Sequence, residues 1–240
     1  MSAVLYAVDG GVATLTLNRP ESRNALNLAM CEGLIECSVS ASRDETVKLL
    51  LVRANGPVFC AGADLKERQG MSEAQVRERR MKGFAAYAAL EALPMPSIAV
   101  VQGPAVGSGC EIAGACDFIV ATTAASFRTP EAIRGTVGAT QRLPRILGKR
   151  LAKDLMFTGR TLSAEEAREA GLVSRLVEAQ GLEKLLEEIK NEILKAPQGA
   201  LRLAKRVIDR GVELDPQGAL EEEIKAIEEQ LAAGQWMGKK

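Results

Sequence analysis

A chain without a single histidine cannot build a Ser-His or Cys-His nucleophile and lacks the commonest metal ligand. Acid-base work must fall to carboxylates, lysines, tyrosines or cysteines. Two glutamates stand out by their surroundings. Glu111 follows the run Gly103-Pro104-Ala105-Val106-Gly107-Ser108-Gly109-Cys110 and sits among Cys110, Ile112, Ala113, Ala115 and Cys116, apolar company in which an unpaired carboxylate is costly. Such a group is paired, protonated or functional, and an ion pair with Arg134 or Arg142 accounts for it as well as function does. Glu131 follows Phe127-Arg128-Thr129-Pro130, where the proline fixes φ; by itself a Pro-Glu pair is better explained as the first turn of a helix.

Two stretches of backbone add a second kind of chemistry. Phe59-Cys60-Ala61-Gly62-Ala63-Asp64-Leu65-Lys66-Glu67 reads as a strand opening through small residues into a helix, and residues 103–111 repeat that arrangement with Glu111 one helical turn beyond the glycines. N–H groups at such a helix start have no intrahelical acceptor, so they can receive a carbonyl oxygen that acquires negative charge. An ordinary tight turn explains residues 59–67 alone. Two turns and two carboxylates together define a reaction type: adding water to a double bond conjugated to a thioester needs water activated at the β-carbon, a proton for the α-carbon, and an enolate-like oxygen stabilised between those events.

The elements that must position these groups alternate along the chain. Residues 4–17 alternate in apolar character around Asp9-Gly10, which predicts a hairpin ending at Asn18-Arg19-Pro20. Spacing predicts a helix over 26–43, a strand buried on both faces over 47–53 and a shorter strand at Val58-Phe59. Ser72 with Gln75 forms a capping-box pair for a helix reaching Leu93, where Pro94 and Pro96 stop it. Strands are expected over 97–102 and 117–121, with a short helix over 110–116 between them. Ser163 with Glu166 marks a second capping box, Gly171 a helix end, and 172–177 a strand. From residue 182 onward only helices are predicted, over 182–195, 198–211 and 217–233, and Ile224, Ile227 and Leu231 form a stripe that needs the core or another subunit to cover it. The order places the chain in the α/β class, with no linker or internal repeat.

Bulk properties narrow the partners. Lys+Arg and Asp+Glu both number 31, so no net field draws nucleic acid or a membrane surface. The five cysteines, Cys31, Cys37, Cys60, Cys110 and Cys116, have neither zinc spacing nor a small scaffold to staple, which fits a reducing, cytoplasmic compartment. Neither a signal peptide nor a membrane span is apparent, so the mature chain is expected to begin near Met1.

Over residues 5–227 the sequence resembles the crotonase, or enoyl-CoA hydratase/isomerase, superfamily. The resemblance is carried by Asn18-Arg19-Pro20 with Ala25-Leu26-Asn27, by 59–67, by 103–111 with Cys116-Asp117, by 127–131, by Thr140-Gln141-Arg142-Leu143, and by Phe157-Thr158-Gly159 through Ala167, Gly171 and Leu172. Residues 60–66 and 143–148 look closest to methylglutaconyl-CoA hydratase-like members, a group that includes an AU-rich RNA binder. RNA binding is not expected here, because residues 41–48 carry one arginine and one lysine and no aromatic platform.

The resemblance implies a spiral of ββα units over 1–180, carrying the active site, and a helical C-terminal subdomain over 181–240 that serves oligomerisation or as a lid. It implies an enoyl-CoA hydratase: Glu111 and Glu131 as the catalytic pair, an oxyanion hole from the N–H groups of Ala63 and Ser108, and Arg23, Ala25, Ala61, Asp64, Leu65 and Lys66 around the CoA moiety. Ser108 fills a position that is usually glycine. No metal and no cofactor beyond the CoA of the substrate are implied; the alternatives are an enoyl-CoA isomerase, other enolate chemistry, or a non-catalytic acyl-CoA- or RNA-binding member. The implied assembly is a homotrimer or hexamer. Three departures bear on it: residues 132–139 are about three residues short, leaving Gly135 or Gly138 to replace a glycine turn near the catalytic water; the chain stops at Gln235-Trp236-Met237-Gly238-Lys239-Lys240 before the customary final segment; and residues 182–190 have the Glu/Lys regularity of an idealised helix. Together they read as marks of an edited or engineered chain with weakened hexamer contacts.

Overall fold

The computed structural model describes residues 2–234, so Gln235 to Lys240 and what they contribute lie outside the described residues. The predicted hairpin forms from β1 (Val4–Asp9) and β2 (Val12–Leu17), but its turn is centred one residue later than Asp9-Gly10. Gly10 and Gly11 both take positive φ, 55° and 84°, as a two-residue hairpin turn of matching twist demands. There follow α1 (Leu28–Arg43), β3 (Leu49–Ala54), α2 (Glu73–Glu91), β4 (Ser97–Val101), β5 (Pro104–Val106), α3 (Ser108–Gly114), β6 (Phe118–Thr122) and β7 (Ser126–Arg128). Next come α4 (Arg142–Thr158, kinked at Gly148), β8 (Thr161–Ser163), α5 (Ala164–Glu169) and β9 (Arg175–Val177).

A six-stranded sheet runs β1-β2-β3-β4-β6-β9, parallel from β2 onward. Its central strands are buried on both faces, as parallel strands covered on two sides must be. Alternation divides them: Leu50 and Val52 face one core with α1 and α2, while Leu49 and Leu51 face a second with Ile98, Val100 and Val120. That second core is closed by α6 (Leu182–Lys195) through Leu182 and Leu186. The helices α7 (Gln198–Gly211) and α8 (Pro216–Ala232) complete the chain, and a 2.7 Å ion pair between Lys205 and Asp117 ties α7 to the residue before β6.

Both capping boxes form as expected, at Ser72 with Gln75 and at Ser163 with Glu166. One expected strand does not form and another is shorter than expected. Val58-Phe59 makes no ladder, because the Val58 carbonyl accepts from the Asn24 side chain at 2.8 Å and only Cys60 bridges to another segment. Of 172–177 only Arg175–Val177 is strand, since the amides of Leu172 and Val173 are used on the Ala167 carbonyl to close α5. A smaller second sheet, β5-β7-β8, stands where the glycine-rich segments emerge.

Candidate active site

Three short parallel segments carry the site. Cys60 bridges in parallel to Ala105, and Ala105 pairs in parallel with Phe127. Three residues beyond Cys60 is Ala63, three beyond Ala105 is Ser108, and four beyond Phe127 is Glu131. Strands paired in register leave a ladder side by side, so these residues emerge together at one edge. All of them, with Glu111, line a single cleft of about 910 Å³.

The small residues of the two turns have a packing reason of their own. They let the turns approach each other. A methyl group on Gly109 would lie 2.5 Å from the Cys60 carbonyl oxygen, and one on Gly62, at φ 96°, would lie 3.1 Å from that of Val106. In the first turn, Leu26 donates to the Gly62 carbonyl at 2.8 Å and accepts from Asp64 N–H at 2.9 Å. Ala63, between them, keeps its N–H out of that ladder. Ser108 begins α3, where no intrahelical acceptor exists. Among the described residues neither amide finds a protein acceptor.

The first turn is pinned by Asn24. Its fully buried side chain accepts from Arg19 N–H at 2.8 Å and donates to the carbonyls of Asn55 and Val58 at 2.9 and 2.8 Å. This holds Arg23 and Asn24 at φ 52°, a left-handed conformation that costs non-glycine residues energy. The Arg23 carbonyl then accepts from Ala61 N–H at 3.0 Å. Asp64 is committed inside the same loop: it pairs with Arg19 at 3.0 Å and accepts from the Lys66 and Glu67 amides.

Glu111 lies on α3, buried as expected, and its Oε2 accepts from Arg142 Nη1 at 2.7 Å. Of the two candidate partners, Arg142 is the one engaged. Glu131 caps nothing: a short 3-10 turn, Ala132–Arg134, follows it, and its side chain makes no capping bond. Its Oε2 is buried without a hydrogen-bond partner among the described residues, and burial, with the charge of Glu111 adding, holds its carboxyl above the ordinary value of 4.5 against the pull of Arg134 and Arg80. Gly107 and Gly138 wall it in, since methyl groups there would lie 2.3 Å from Oε1 and 3.0 Å from Cγ. Gly138 rather than Gly135 is therefore the glycine of the short loop that meets Glu131. Arg128 donates to the Gly159 carbonyl at 2.6 Å, a structural bond.

With the geometry in place, comparison with known proteins decides the family. Residues 7–235 match the family described as enoyl-CoA hydratase/isomerase. The chain belongs to that family. It is 43% identical over 221 residues to human "Enoyl-CoA hydratase domain-containing protein 2, mitochondrial", covering 88% of this chain and 75% of that one. It is 36% identical over 233 residues to "Short-chain-enoyl-CoA hydratase" of Clostridium acetobutylicum, covering 95% and 89%. A crystal structure titled as enoyl-CoA hydratase from Bacillus anthracis matches with a TM-score of 0.91 at 37% identity, over 94% of this chain and 90% of that one. The expected crotonase-type α/β fold with C-terminal helices is thus the fold of this enoyl-CoA hydratase/isomerase family member.

Every residue singled out from the sequence lines the cleft: Glu111, Glu131, Ala63 and Ser108, together with Arg23, Ala25, Ala61, Asp64, Leu65 and Lys66. Sequence reasoning missed others. Tyr87 is 4% exposed and lines the cleft, and its ring lies beneath Arg142, with the guanidinium carbon 5.7 Å from the ring centre. Arg68, Arg79 and Arg80 also line it; Arg79 is buried and pairs with Glu67 at 2.8 Å, while Arg79 Nη2 and Arg68 Nε find no acceptor among the described residues. The available signal was Arg79 itself, an arginine in step with Gly83, Ala86, Tyr87 and Leu90 on the buried face of α2.

Proposed function

We propose that the chain is an enoyl-CoA hydratase that adds water reversibly to a 2-enoyl-CoA. The observation that carries this is the convergence of two glutamates and two unused amides on one cleft. The thioester oxygen lies between the amides of Ala63 and Ser108, which strengthen their hold as it becomes enolate-like. Arg142 occupies one oxygen of Glu111 and leaves the other to orient water and take its proton as the oxygen adds to the β-carbon. Glu131, held protonated to higher pH by burial, delivers its proton to the α-carbon. Exchange between the carboxyls through water restores the starting state.

Arg23 and Lys66, exposed at the mouth, supply positive charge for the CoA phosphates. The five cysteines are free, which supports a reducing compartment such as the cytoplasm. No helix among the described residues is long and apolar enough to cross a membrane. Ile224, Ile227 and Leu231 stay 45%, 48% and 51% exposed in the single chain, which favours a homo-oligomer over coverage by the chain's own core. The test is hydration of crotonyl-CoA, followed by loss of the conjugated thioester's absorbance. Glu111→Gln and Glu131→Gln are each expected to lower kcat by about 10²–10⁴-fold; near-normal turnover in either refutes the assigned roles.

A further inference from the structure

Arg142 reaches Glu111 from α4, and α2 decides where it can be. Its Nη1 donates to Glu111 Oε2 at 2.7 Å and its Nη2 to Glu91 Oε2 at 2.6 Å, so the two ends of one planar guanidinium serve two carboxylates. The guanidinium lies 5.7 Å from the centre of the Tyr87 ring. Tyr87 and Glu91 are four residues apart on α2, hence on one face of the helix, and both meet the same side chain. A guanidinium hydrogen-bonded at both ends and backed by an aromatic face has few orientations left. The carboxylate it holds is equally confined. Glu111 is 6% exposed on a seven-residue helix, and α4 supplies its partner from a segment that is helical only as far as the kink at Gly148. Neither α3 nor α4 alone fixes the angle at which Arg142 approaches.

We infer that Tyr87 and Glu91 are positioning residues for the catalytic carboxylate, acting on Glu111 through Arg142. This rests on the hydratase reading, in which Glu111 must be aimed at a water. The ring serves as a platform and the carboxylate as a tether. Neither needs to contact the reacting atoms, and a shift of about 1 Å in a catalytic group is enough to cost up to 10²-fold in rate. The chemistry also divides the two contributions: the ring face does not depend on the phenol hydroxyl, whereas the Glu91 tether depends on its charge.

The test is a double-mutant cycle in crotonyl-CoA hydration. Tyr87→Leu and Glu91→Gln are each expected to lower kcat by about 3–30-fold, the scale of one cation-π or charge-assisted contact, with KM changed less than kcat. Tyr87→Phe, which keeps the ring face, is expected to recover most of the Tyr87→Leu loss. In an Arg142→Met background neither Tyr87→Leu nor Glu91→Gln should lower kcat further. Full, additive losses in that background overturn the inference, as does a Tyr87→Phe enzyme no better than Tyr87→Leu. A fall in Tm of equal size in both backgrounds with kcat per folded molecule unchanged leaves the residues purely structural, and also overturns it. Failure of the hydratase reading itself is distinct: the unsubstituted chain would not hydrate crotonyl-CoA, and the coupling would then be read from the fold, as loss of the Arg142-dependent part of Tm when Tyr87 or Glu91 is replaced.

Discussion

Gly107→Ala separates the strain of the site from its chemistry. Gly107 precedes α3 at φ 51° and ψ −107°, a region open to glycine and costly to any residue with a Cβ, by about 1–3 kcal/mol. The added methyl would also lie 2.3 Å from Glu131 Oε1, so that the oxygen must retreat by about 1 Å to reach ordinary contact near 3.4 Å. That oxygen is the tip of a rotatable side chain, so moving it costs little stability. It costs function, since a displacement of about 1 Å in a proton-transfer group is worth up to about 10²-fold. The expected result is a stability loss of about 1–3 kcal/mol by urea unfolding and a fall in kcat for crotonyl-CoA of about 10²-fold. Gly171→Ala is the control: φ is 82° and a methyl there meets nothing within 4 Å, so strain appears without the collision. It should lose about 1–2 kcal/mol and keep its kcat. A Gly107→Ala enzyme that loses stability like the control but turns over normally would refute the placement of Glu131 as a reacting group.

Glu131 makes a second prediction through pH. Its folded-state pKa lies above the ordinary 4.5, so the folded chain binds this proton more tightly than the unfolded one. The contribution is fully present below the unfolded value and is lost as pH rises through the folded one. The Tm of Glu131→Gln relative to the parent should therefore rise with pH from the ordinary carboxyl range towards neutrality, and a flat difference across that span would contradict the burial argument. Asn24→Ala leaves the Arg19 amide and the carbonyls of Asn55 and Val58 without their buried partner. A loss of about 3 kcal/mol, with a raised KM for the CoA thioester, is expected from unfolding curves and kinetics; a loss below about 1 kcal/mol would mean water replaces the amide. Ile227→Glu places a charge in the exposed stripe of α8 and should shift the mass found by light scattering towards the monomer, whereas an unaltered assembly would place the interface elsewhere.

How much of this was legible in the sequence depended on range. The capping boxes at Ser72 and Ser163, the hairpin, and the helices beyond residue 182 are signalled by residues within a turn or two of one another, and all of them form, the hairpin turn and the last helix displaced by one residue. The partner of Glu111 is 31 residues away, so composition could propose Arg134 and Arg142 but could not choose. Tyr87 and Glu91 were invisible for the same reason, since their shared neighbour sits on another helix. Val58-Phe59 misled because its apolar pair suits a strand, while the Val58 carbonyl is claimed by Asn24 and Gly103 passes so close that a methyl there would lie 2.0 Å from the carbonyl oxygen of the preceding Pro57. Ala63, Ser108, Glu111 and Glu131 line one cleft, and they could be grouped in advance only through the resemblance, since the pairing that joins their segments is long-range and leaves no local pattern.

The decisive pairing consists of very few residues. Cys60 to Ala105 is a lone bridge and Ala105 to Phe127 the centre of a three-residue ladder, yet together they set where both amides and Glu131 emerge. The bridge holds the two segments at the ladder spacing of neighbouring strands, about 4.7–4.9 Å, and so sets through the backbone where the amides of Ala63 and Ser108 emerge. This is why serine can stand at position 108: the amide is placed by the backbone three residues earlier, and the side chain only narrows the cleft. A slip of one residue in the Cys60 to Ala105 bridge would instead displace one amide against the other by about 3.3 Å and turn the flanking side chains to opposite faces. Gly62 and Gly109 guard against that slip, because each admits the opposing carbonyl at a distance closed to any other residue without a shift. The glycines of this site thus specify register, and register specifies the chemistry.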